Sequence, residues 1–139
     1  MNHDPVNHPT HYCSHPSGIE AITITREMSF NVGNAFKYLY RCDKKENMVQ
    51  DIKKAIWYIE DEIKRREGFR WKFFREDPFY RPCIDGTTPI KAVLSWESRF
   101  CGFLGLALNH LYCAHASPRS VEPLKSALET CNHILKVWG

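Results

Sequence analysis

None of the short motifs that usually mark phosphate or acyl chemistry occurs in this chain. It has no G-x-x-x-x-G-K-S/T loop, no G-x-G-x-x-G dinucleotide turn and no G-x-S-x-G elbow. The GFLG of residues 102–105 stands inside a helical pattern and replaces neither glycine loop. Any phosphate handled here must therefore be held by side chains and helix ends. The six cysteines, at 13, 42, 83, 101, 113 and 131, include no Cys-x-x-Cys pair and are widely and irregularly spaced. An even count without a secretory context is no disulfide framework, so reduced thiols are expected, several of them buried in helices. The longest apolar run, FCGFLGLAL, falls far short of the roughly 20 residues that cross a bilayer. The first thirty residues are polar and rich in His and Pro, without the apolar core of a signal peptide. These absences lead us to expect a soluble, cytoplasmic protein with no membrane partner. No internal repeat is evident, and the strand and helix alternation of a parallel sheet is missing.

What is present suits a single folded unit. The chain has 139 residues, 43% of them apolar and 13% aromatic, which argues against disorder and allows a modest core. Its net charge of +3 is unevenly spread. Residues 37–75 hold twelve Lys or Arg against seven Asp or Glu, a local +5, while the remainder is −2. A positive field of this kind suits a phosphate-bearing partner.

Residues 1–17, with three prolines and no periodic apolar pattern, read as an extended arm. In IEAITITREMSF, Ile22 and Ile24 alternate like a strand while Ile19 and Ile22 suit a short helix, and helix is preferred. Asn31 is a candidate cap for VGNAFKYLYRC, where Ala35, Leu39 and Cys42 share one side. In QDIKKAIWYIEDEIKRRE, Ile52, Ala55, Ile56, Ile59 and Ile63 follow the helical template, with Asp51 favourably placed at the start. Trp71 and Phe74 extend the rotation into a second helical piece near 69–76, and residues 77–89 read as a loop. Phe100, Phe103, Leu104, Ala107, Leu108 and Leu111, then Val121, Leu124, Leu128, Cys131 and Leu135, predict a helical hairpin with Ser120 as a cap. The expected fold is all-α: short helices, an extended N-terminal arm and a C-terminal helical hairpin. We divide it into a unit of residues 1–76 and a loop and hairpin, 77–139, packed on it.

Two constellations could carry chemistry. In GNAFKYLYRCDKK a helix places Asn34, Lys37, Tyr38 and Arg41 within two turns of one face, with Lys44 and Lys45 at its end. A guanidinium, several ammonium groups, an amide and a ring could hold a phosphate chain and stack a base, although such charge runs are usually only a solvated face. Arg41 lies off the apolar stripe, so its removal should leave the helical fold intact. In NHPTHYCSHPSG, His8 and His11 with Cys13 or His15 could approach the four ligands of a zinc site, yet histidine also caps, stacks and sits in solvent. His110, Cys113 and His115 form a weaker cluster, for which packing is the default. Glu60, Asp61 and Glu62 are adjacent on a helix, point in different directions and cannot chelate one ion; they read as surface charge balancing Lys64, Arg65 and Arg66. The run FRWKFFRE could stack on single-stranded nucleic acid, but its apolar members continue the core stripe, so nucleic acid is not the expected partner.

Four ordered blocks, N-H-P-x-H-Y, G-I-E-x-I, G-N-x-x-K-Y-x-x-R-x-x-K-K and D-I-x-K-A-x-W-Y, run from Asn7 to Tyr58 within a resemblance that covers residues 7–66. They make the chain resemble a small domain family of tailed phages, formerly of unknown function, that includes the nucleotide kinase of T7-like phages. The resemblance implies a phage protein of the infected bacterial cytoplasm that binds a nucleotide and is homo-oligomeric. It implies a nucleotide or phosphate site of His8, His11, Tyr12, Asn34, Lys37, Tyr38, Arg41, Lys44 and Lys45. The leading expectation is kinase-like action on (deoxy)nucleoside monophosphates, with ATP or another phosphate donor and with His11 as general acid or base. The alternative is a non-catalytic sponge for nucleotide immune messengers, an anti-defence protein; a structural or interaction protein is third. No metal is expected, because Cys13 and His15 lie outside the shared motif. Metal analysis of the purified protein should accordingly find far less than one zinc per chain; near-stoichiometric zinc would overturn the arm's assignment to a nucleotide site.

Overall fold

A computed structural model describes residue 6 and residues 18–42, 47–68 and 102–138. Every regular element among the described residues is helical, and the fold is all-α. In chain order the helices are α1 (Ala21–Thr25), α2 (Phe30–Arg41), α3 (Met48–Gly68), α4 (Gly102–Ala116) and α5 (Glu122–Trp138). The expected helical piece near 69–76 and the loop at 77–89 lie outside the described residues.

Local chemistry explains most of the boundaries. Gly18 has φ +75°, a left-handed conformation open to glycine at little cost, and it turns the chain towards α1. The helix expected within IEAITITREMSF is only Ala21–Thr25, just over one turn. Ser29, not Asn31, occupies the cap position of α2 and makes no side-chain cap bond. Asn31 lies inside the helix, and its amide donates to Asp61 Oδ2 of α3 at 2.9 Å. The start of α3 is better defined: Asn47 Oδ1 accepts the Gln50 amide at 3.1 Å, satisfying one donor of the first turn. At α5 the first helical carbonyl to be paired is that of Val121, which accepts from Lys125, so Ser120 lies one residue before the cap position. Pro123 falls in the first turn, where its missing N–H leaves no gap.

One apolar cluster unites the two halves of the sequence. Phe36, Leu39 and Tyr40 of α2 and Ile52, Ala55 and Ile59 of α3 join Leu104, Leu108 and Leu111 of α4 and Leu124, Cys131 and Ile134 of α5. The helical stripe predicted for α3 is observed, with Ile56 and Ile63 at its partly buried edge. In the hairpin Leu104, Ala107, Leu108 and Leu111 are buried as expected, whereas Phe103 is 45% exposed; Phe100 lies outside the described residues. Cys42, Cys113 and Cys131 are buried, and burial pushes the Cys131 thiol up to about 12. Cys13, Cys83 and Cys101 lie outside the described residues.

The main departure from the sequence reading concerns the charges of α3. Glu62 is not surface charge: it is 1% exposed, and Arg66, one turn on, is 2% exposed. Glu62 also accepts from the half-exposed Arg65, whose Nη2 lies 3.2 Å from its Oε2. The Arg66 guanidinium reaches out of α3 to three carbonyls at the hairpin bend, those of Ala114 (3.0 Å), Ser117 (3.0 Å) and Ser120 (2.6 Å). Its Nε has no hydrogen-bond partner and stands 3.9 Å from Glu62 Oε2. Burial lowers the Arg66 pKa, and the Glu62 carboxylate opposes that shift. Removing one partner of a buried pair leaves the other uncompensated, so Arg66→Ala should cost about 3–5 kcal/mol in urea unfolding. Arg65→Ala, which removes the half-exposed partner and leaves Glu62 beside Arg66, should cost less, about 1 kcal/mol. Equal effects of the two substitutions would contradict this assignment.

Candidate functional site

Helices α2 and α3 are neighbours, and their contacts run in opposite order. Asn31 meets Asp61, Phe30 and Tyr38 meet Tyr58, and Arg41 meets Asp51. The helices are therefore antiparallel. The spacing of Phe30, Asn34, Lys37, Tyr38 and Arg41 along α2 matches that of Asp51, Lys54, Tyr58 and Asp61 along α3, each set following the three-to-four repeat of a helix.

The centre of the shared face is the ring of Tyr38. The Tyr58 ring stacks on it with centroids 5.9 Å apart and planes 16° apart. Three cations approach it: Arg41 Cζ at 4.6 Å, Lys37 Nζ at 5.1 Å and Lys54 Nζ at 5.3 Å from the centroid. Each cation–π contact adds about 0.5–1 kcal/mol at an exposed site, and the three cations repel one another. Burial, and then the charge of Arg41, lower the Lys37 pKa. Towards solvent, Phe30 (75% exposed) and Trp57 (60% exposed) flank Tyr58 edge-on, at 5.9 and 5.1 Å. A pocket of about 210 Å³ adjoins this strip between α1 and α2 and shares Phe30 and Lys37 with it. Thr25, Met28, Gly33 and Asn34 complete much of its lining.

The residues anticipated from sequence have different places here. Lys37, Tyr38 and Arg41 come together as the helical spacing required. Asn34 lines the pocket, but its amide donates to Phe30 O of its own helix at 2.7 Å. Arg41 is not detachable from the fold, contrary to what its place off the apolar stripe suggests. It is 8% exposed and holds buried Asp51 in a two-pronged pair, with Nε to Oδ2 and Nη2 to Oδ1 both at 3.1 Å. His8, His11, Tyr12, Lys44 and Lys45 lie outside the described residues. Among the described residues no group of three His, Cys, Asp or Glu is placed to hold a metal ion. His110 is half-buried, with its pKa lowered by burial, and the Cys113 thiol faces Asn109 Oδ1 at 3.9 Å.

Lys54, Trp57 and Tyr58 belong to a shared motif block but stand outside the site expected from sequence, and Phe30 is in neither. The signal was available for three of them, because Lys54, Trp57 and Tyr58 are three and four residues apart and so lie together on α3. Nothing in the sequence set that face against Tyr38. No helix among the described residues is long and apolar enough to cross a membrane.

Residues 6–60, under half of the chain, match a family described as a protein of unknown function, DUF3310. No curated protein and no solved structure matches significantly. The matched segment contains α1, α2 and most of α3, and with them all of the Tyr38 cluster.

The Arg41–Asp51 pair makes Arg41 part of the fold as well as of the face. Arg41→Ala and Asp51→Asn should each destabilise the protein by about 3 kcal/mol, with the double variant well short of the sum. Equilibrium unfolding of the three variants measures this, and additive losses would show that the two residues do not act as a pair.

Proposed function

We propose that the α2–α3 face binds a nucleotide. The observation that carries this reading is the gathering of Arg41, Lys37 and Lys54 around one ring, with Asp51 as the facing carboxylate and exposed Phe30 and Trp57 beside it. Three cations within 5.3 Å of the Tyr38 centroid set up a positive field that attracts an anion. Lys37 and Lys54 take the phosphates, Arg41 holds the local field and orients Tyr38, and Phe30 or Trp57 supplies a surface on which a base stacks. The pocket of about 210 Å³ is below the roughly 300 Å³ at which drug-sized sites begin, so it suits one portion of a nucleotide with the rest along the open strip.

The favoured activity is kinase-like phosphoryl transfer to (deoxy)nucleoside monophosphates, with ATP or another nucleoside triphosphate as donor, in a phage protein of the infected cell. Such transfer depends chiefly on positioning and on neutralising charge over the moving phosphoryl group, which clustered cations supply. His11 is the general acid or base of this reading; His8, Tyr12, Lys44 and Lys45 complete the site, and a second copy of the chain closes it. Capture of nucleotide messengers without turnover is the second reading. It is favoured by the carboxylates described at this face being committed, Asp51 to Arg41 and Asp61 to the Asn31 amide, and not available to take a proton from an acceptor.

Incubation with ATP and each deoxynucleoside monophosphate, beside a panel of cyclic and NAD-derived messengers, separates the two. Diphosphate products identify the kinase, and tight capture with intact release on denaturation identifies the sponge. Lys54→Ala and Trp57→Ala, at sites outside the core, should each weaken nucleotide binding about tenfold, or ~1.4 kcal/mol, with unchanged helical circular dichroism. Undiminished affinity in both variants would remove this face as the binding site.

A further inference from the structure

A second concave site lies between α4 and α5, formed by helices outside the family-matched segment. Its volume is about 350 Å³, within the range of small-molecule sites. Phe103, Leu106 and His110 line it from α4, and Glu129, Thr130 and His133 from α5. Both sets follow helical spacing, so each helix turns one continuous face to the cavity.

The lining has a defined chemistry. The Phe103 and His133 rings meet at 4.4 Å with planes 54° apart and make an aromatic wall. Phe103 and Leu106 remain 45% and 42% exposed, although their helix is otherwise well buried. The Thr130 hydroxyl is committed to Ser126 O at 2.8 Å. Burial lowers the His110 pKa, which favours its neutral form. The nearby Lys125 ammonium lies 3.6 Å from Glu67. Glu129 is the one carboxylate of the lining, and it has no hydrogen bond or ion pair among the described residues.

We infer that this cavity binds a small organic cation, an ammonium group carried on an apolar or aromatic body. The ammonium meets Glu129 and the faces of the two rings, and the body covers Phe103 and Leu106. An anion of the same shape is repelled by Glu129, and a neutral analogue gains only the apolar contact. The site is independent of the nucleotide reading, since none of its lining residues belongs to α2 or α3.

Titration of the isotopically labelled full chain at pH 8 with benzylammonium, benzyl alcohol and benzoate, followed by amide chemical shifts, tests the assignment. Benzylammonium should give saturable shifts clustered at residues 103–110 and 126–133, with benzyl alcohol about tenfold weaker and benzoate silent. Glu129→Gln, an exposed substitution, should weaken benzylammonium about tenfold and leave benzyl alcohol unchanged. Comparable affinity for all three probes, undiminished benzylammonium binding in Glu129→Gln, or absence of saturable shifts at those residues would overturn it.

Discussion

The buried guanidinium of Arg66 is the interaction on which the arrangement of the two halves depends. A helix end leaves carbonyls without partners, and a bend between helices adds more. Here the carbonyls of Ala114, Ser117 and Ser120 converge on one cation projecting from α3. A neutral donor would satisfy fewer of them, and a lysine would lack the planar fork that reaches several acceptors at once. The cost of burying that charge is offset by Glu62 one turn back, itself bonded to Arg65. Apolar contact between the hairpin and α3 is non-directional and would tolerate sliding. The polar knot at Arg66 fixes one register.

Charge plays the opposite part at the other end of α3. Around Tyr38 three cations share one ring, and Lys37 loses proton affinity through burial and through Arg41. The Arg66 guanidinium is held by three carbonyls and faces Glu62, whereas at Tyr38 three cations gather around one ring beside exposed aromatic groups. Proteins seldom place large aromatic groups such as Phe30 and Trp57 at 75% and 60% exposure next to partly buried cations for stability alone. The contrast gives structural work to the Arg66 cluster and is the ground for proposing recognition at the Tyr38 cluster.

How much of this was legible in the sequence follows from which forces are local. The all-α class, the apolar stripe of α3 and the hairpin depend on helical periodicity, which a sequence displays directly, and these were read correctly. The grouping of Lys37, Tyr38 and Arg41 was legible for the same reason. The role of Glu62 was not: within the E-D-E run its burial depends on a hairpin about fifty residues away. Arg41 was misread similarly, because Asp51 sits on another helix and nothing local marks the two as a pair. Asn31 resembled a cap by residue type, but its amide found Asp61 across the helix interface, a tertiary contact that overrides a local preference.

The antiparallel helices that carry the aromatic face are fastened near both ends, by Asn31 to Asp61 on one side and Arg41 to Asp51 on the other. Between these ties the stacked rings of Tyr38 and Tyr58 have little freedom to slide. Under the proposed nucleotide binding, a ligand would meet a surface already in place, and little ordering entropy would oppose association. On such a platform, differences between related ligands would be expressed mainly in how long each stays bound, while encounter rates would follow the ionic strength that screens the cations.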